Sequence, residues 1–60
     1  MKIETILDSY INGQRKQMID QIRRYGMRRF FVDLVTLFEG ELISKQMFIE
    51  ITLFYMRHKT

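Results

Sequence analysis

The chain has no cysteine, no proline and no tryptophan, and one histidine in 60 residues. Without cysteine there is no disulfide framework and no thiolate chemistry, and a reducing compartment suits the chain. A structural metal site draws on several His, Cys or convergent carboxylate ligands, which this sequence does not assemble around His58. His58 is expected to be a solvated residue at a helix end. Long apolar runs are also missing: the stretch 53–56 is far too short to span a bilayer. Met1-Lys2 leads into Ile3-Glu4-Thr5 rather than an apolar h-region, so the expectation is a cytoplasmic, soluble protein without a membrane partner. Catalytic constellations are absent as well. Ser9 and Ser44 have no nearby base, Glu39 and Glu41 flank Gly40 in what reads as a solvated turn, and no glycine-rich phosphate loop occurs. The expectation is a protein that is not an enzyme, with no cofactor, no metal and no small-molecule substrate.

What is present is apolar side chain, 47% of the residues, together with 28% charged residues of mixed sign. That mixture argues against disorder. A domain of this size buries only roughly 60% of the surface its unfolded chain exposes. Small scaffolds add disulfides, a metal or a partner subunit. With the first two unsupported, a single all-α domain over residues 1–60, completed by homodimerisation, is the expected architecture.

The three glycines, at 13, 26 and 40, divide the chain into three to four short helices. Ile3, Ile6, Leu7, Tyr10 and Ile11 have helical spacing, with Thr5 and Asp8 as a loose capping pair near the start. The polar run 12–17 is either a break, with Asn12 capping the second helix, or the middle of one longer helix. Leu7, Ile11, Met18, Ile22 and Tyr25 stay in phase across it, yet Asn-Gly favours the break. Tyr25-Gly26 reads as a helix end, with Gly26 left-handed. Met27, Phe30, Phe31, Leu34, Val35 and Phe38 give the clearest amphipathic pattern, ending at Gly40. Ser44 is a good N-cap for a last helix. There Met47, Phe48, Ile51, Phe54 and Tyr55 form one face, and Ile49, Leu53 and Met56 extend apolar character around it. Residues 48–55 also fit a β-strand, because Ile49 to Leu53 alternate and are rich in β-branched side chains. A helix apolar nearly all round needs cover on more than one side. The last two helices are therefore expected to form the homodimer interface, with Phe48, Ile51, Leu53, Phe54 and Tyr55 central. The five phenylalanines read as core, and the five methionines as core or an adaptable contact surface.

Positive charge is concentrated. Residues 15–29 hold Arg15, Lys16, Arg23, Arg24, Arg28 and Arg29 against Asp20 alone, a local charge of +5, while the whole chain is +3. With Tyr25 among them, these cations form the candidate partner-binding set. Guanidinium groups match phosphate or carboxylate, and an exposed tyrosine can stack on a base. Two function classes follow: a modulator or inhibitor that docks on a host protein with an acidic surface, and a nucleic-acid-binding regulator that uses the basic block on phosphates. A solvated face that keeps an apolar oligomer soluble is the plain alternative to both.

The run Tyr10-Ile11-Asn12-Gly13-Gln14-Arg15-Lys16-Gln17-Met18-Ile19 resembles a stretch of short phage-encoded helical proteins. The resemblance implies a small phage or prophage product that modulates a host protein, and it marks no site residues. The overall design also resembles small plasmid regulators that fold as helical-hairpin dimers and bind RNA. That likeness rests on size and helicity, which do not transfer function.

Overall fold

The computed structural model describes residues 1–59, with side chains for 1–58. Four helices follow in order: α1 (Ile3–Ile11), α2 (Arg15–Tyr25), α3 (Met27–Glu39) and α4 (Lys45–Lys59). The fold is all-α, and no strand occurs among the described residues. The strand alternative for residues 48–55 falls because Phe48, Ile51 and Tyr55, at i, i+3 and i+7, turn inward together.

Short-range devices set the boundaries. α1 begins at Ile3, ahead of the Thr5–Asp8 pair, after Lys2, whose side chain makes no capping bond. The break between α1 and α2 is real, but Asn12 closes α1 rather than opening α2. Gly13 takes φ 76°, its N–H donates to the Tyr10 carbonyl at 3.1 Å, and the Gln14 N–H reaches back to the Ser9 carbonyl at 2.9 Å. These are the paired bonds of a Schellman ending, which needs a left-handed residue at this position.

Gly26 alone joins α2 to α3. Its N–H donates to the Ile22 carbonyl at 2.9 Å, and its own carbonyl accepts from Phe30 N–H at 2.8 Å. The backbone there has φ 103° and ψ 118°, a combination open to glycine. α3 stops at Gly40, yet the left-handed residue is the next one, Glu41, at φ 59°. Glu41 N–H bonds the Phe38 carbonyl at 3.0 Å and Leu42 N–H the Leu37 carbonyl at 2.9 Å, so this end repeats the Schellman pattern without glycine. Ser44 caps α4 as expected, its Oγ accepting from Met47 N–H at 3.1 Å.

One core runs through all four helices: Ile3, Ile6 and Leu7 of α1, Met18 and Ile22 of α2, Phe30 and Leu34 of α3, and Ile51 of α4. Phe38 and Phe48 stack with centroids 4.8 Å apart, and Phe31 meets Tyr55 edge-on at 5.5 Å, so aromatic pairs fasten α4 to α3. Between α1 and α2 lies a buried polar pair: the Ser9 hydroxyl donates to Gln21 Oε1 at 2.7 Å and lies 3.2 Å from the Thr5 carbonyl oxygen. The radius of gyration is 10.5 Å, against about 10.4 Å for a compact domain of this length. A single chain therefore closes a core of its own.

The expected interface residues divide between the two sides of α4. Ile51 is 0% exposed and serves the core of its own chain. Phe48, Phe54 and Tyr55 are half-buried on the same inward side. Leu53, at 48% exposure, is the one member of the expected set that faces outward.

Candidate partner-binding surface

Ile49, Leu53 and Met56 are 43%, 48% and 58% exposed. Their i, i+4, i+7 spacing lines them up along the side of α4 opposite Ile51. On α3, Val32 and Val35 are exposed in an open groove that Phe31 and Thr36 also line, with Arg28 at one end and Glu39 at the other.

The basic block does not fold into one patch. Arg15 is drawn inward: its guanidinium lies 4.1 Å from the Tyr10 ring centroid and 5.5 Å from that of Phe54, and it donates to the Tyr10 carbonyl. It thereby links α2 to α1 and α4. Arg29 sits 4.7 Å over the Tyr25 ring, and the Tyr25 hydroxyl donates to the Asp33 carboxylate. One face of this ring is covered and its polar end is engaged, so Tyr25 is not an open stacking platform. The bond to Asp33 also raises the Tyr25 phenol above its ordinary pKa. Tyr10 is raised too, first by burial and then by its hydrogen bond to Glu50, where its hydroxyl donates to Oε2 at 2.8 Å.

The remaining cations, Lys16, Arg23, Arg24 and Arg28, are exposed, and among the described residues no hydrogen bond, ion pair or ring contact engages them. They divide by helical phase. Successive residues of a helix lie about 100° apart, so Arg23 and Arg24 leave α2 in different directions. Lys16 and Arg23 turn toward the end of α4, where with Ile19, Asp20 and His58 they line a groove that Arg15 also borders. Tyr55 lines a neighbouring pocket that shares Ile19, Arg23 and His58 with this groove. Arg24 stands on another side of α2, and Arg28 opens α3 just beyond Gly26.

His58 is the residue that the sequence alone undervalued. It is exposed, as expected of a helix end, but it is also held: its ring meets Phe54 edge-on at 4.5 Å and borders the Lys16–Arg23 groove. Its position three turns and more after the α4 cap, on the inward side of that helix, was the available signal.

No group of three or more His, Cys, Asp or Glu side chains is placed to hold a metal ion among the described residues. No helix there is long and apolar enough to cross a membrane. No protein-family model matches this chain, and no curated protein or solved structure is significantly similar to it.

Proposed function

We propose that this chain is a non-catalytic, cytoplasmic interaction protein that acts as a homodimer and docks on another protein through the Arg24–Arg28 corner and the α3 groove. The observation that carries the reading is the uncommitted Arg28 guanidinium at one end of an exposed apolar groove. That combination suits an amphipathic segment whose apolar side covers Val32 and Val35 and whose carboxylates meet Arg28 and Arg24. Under the resemblance of residues 10–19 to phage-encoded proteins, the partner is a host protein.

The homodimer is best supported along the outer stripe of α4, not along the face that holds Ile51. In an antiparallel two-fold pairing centred between Leu53 and Phe54, the stripe covers its own copy.

Nucleic acid binding is the competing reading, favoured by the excess of exposed cations and weakened by the engagement of Tyr25. Titrations of the labelled chain with an acidic amphipathic peptide, duplex DNA, single-stranded DNA and RNA, at about 50 and 200 mM salt, separate the two. The peptide is expected to bind at both salts, because part of its contact is apolar. Arg24→Glu with Arg28→Glu should weaken it about tenfold or more. Tight binding of a nucleic acid at the lower salt that collapses at the higher, without binding of the peptide, would replace this reading by the nucleic acid one.

A further inference from the structure

The groove between α2 and the end of α4 is chemically unlike the α3 face. It gathers the uncommitted cations Lys16 and Arg23 with the imidazole of His58, from two helices, over the side chain of Ile19. Arg15 adds a third fixed positive charge at its border, and Asp20 is the one carboxylate. We infer that this groove is a binding site for a phosphate monoester of a small molecule with an apolar body.

Each part of such a ligand meets a matching group. The Arg23 guanidinium offers a planar fork for two phosphate oxygens, and Lys16 offers a mobile point charge beside it. His58 contributes a ring N–H from the opposite wall, and its contact with Phe54 restricts where that ring can stand. The aliphatic stems of Lys16 and Arg23, beside the His58 ring, give the apolar body a surface from which water is displaced. Asp20 lies one turn from both Lys16 and Arg23 along α2, so the phosphate is held on the His58 side of that carboxylate. The site shares no residue with the α3 docking face, so either can fail without the other.

Phenyl phosphate is the probe, titrated into the isotopically labelled full chain at constant ionic strength and followed by amide and side-chain NMR, with inorganic phosphate and phenol as separate arms. The expected result is saturable shifts confined to Lys16, Ile19, Arg23, Tyr55 and His58, and tighter binding than either arm gives alone. Arg23→Gln should weaken phenyl phosphate about tenfold, and His58→Gln by a smaller factor. The variants' dispersed amide spectra establish that they remain folded. Arg24→Gln with Arg28→Gln should leave the affinity unchanged. Shifts that do not saturate, that spread over Arg24 and Arg28, or that survive Arg23→Gln at full strength would overturn the site. Equal affinity for inorganic phosphate, or equal affinity for phenol, would overturn the monoester assignment.

Discussion

In α1 and α2 the large aliphatic side chains are sealed: Ile3, Ile6, Leu7, Met18, Ile19 and Ile22 are buried, and Ile11 is the aliphatic left outside. α4 carries Met47, Phe48, Ile49, Ile51, Leu53, Phe54, Tyr55 and Met56, yet Ile51 is the one of them that is fully buried. The difference lies in phase rather than in content. In α1 and α2 the apolar positions fall on one stripe, so a single packing event covers nearly all of them. In α4 they encircle the helix, and docking one side against α3 necessarily leaves Ile49, Leu53 and Met56 outside. Apolar residues that the fold leaves outside are the chain's strongest argument for a second copy.

The largest effect expected from this contrast comes from carrying the same charge to the two sides of α4. Ile51→Asp places a carboxylate in a sealed core and should unfold the chain, read as loss of helical circular dichroism. Leu53→Asp, two residues away, should leave the helical signal near that of the parent and convert a dimer to a monomer in sedimentation equilibrium. A parent chain that is already monomeric at high concentration, or a Leu53→Asp variant that remains dimeric, would break the proposed pairing.

A smaller effect tests the sealed half. Ser9→Ala leaves Gln21 buried without its partner and should cost about 1–3 kcal/mol in urea unfolding. Adding Gln21→Leu should recover much of that loss, because both polar groups then leave the α1–α2 interface together. An equal loss in the double variant would show that the pair's shape, rather than its hydrogen bond, matters there.

The smallest effect is a gain. Glu41 holds a left-handed conformation that glycine adopts freely, so Glu41→Gly should raise stability by about 0.5–1 kcal/mol. The thermal midpoint should rise by a few degrees. A fall would mean that the glutamate side chain contributes more at that turn than its backbone costs.

Several elements were legible in the sequence because they depend on neighbours along the chain. The amphipathic pattern of α3, the Ser44 cap and the helix ends near Gly26 and Gly40 are of this kind. What was not legible depends on partners remote in sequence. The basic block reads as one charge of +5, and nothing in its order says that Arg15 will lie on Tyr10 and Phe54 or that Arg29 will cover Tyr25. Ser9 and Gln21 meet across twelve positions, with no periodic signal to announce it. Asn12 and Glu41 illustrate a subtler limit. Asn-Gly and Glu-Gly-Glu mark turns clearly, but which residue goes left-handed is decided by how the next helix must leave. The inward side of α4 has the same pattern whether its cover comes from α3 or from another chain, so the sequence does not say which of the two covers it.

The joint at Gly26 has a consequence for recognition. A loop of several residues would let the end of α2 and the start of α3 adjust to whatever approaches them. A one-residue joint leaves few backbone dihedrals to turn, and both helices are anchored in the core on either side of it, through Ile22 and Phe30. The guanidinium stems of Arg24 and Arg28 therefore leave the backbone at a fixed separation and a fixed mutual angle. They act as a caliper rather than a pair of tethers. Partners are sorted by whether their carboxylates match that gauge, and a loosened joint would widen the range of partners while weakening each.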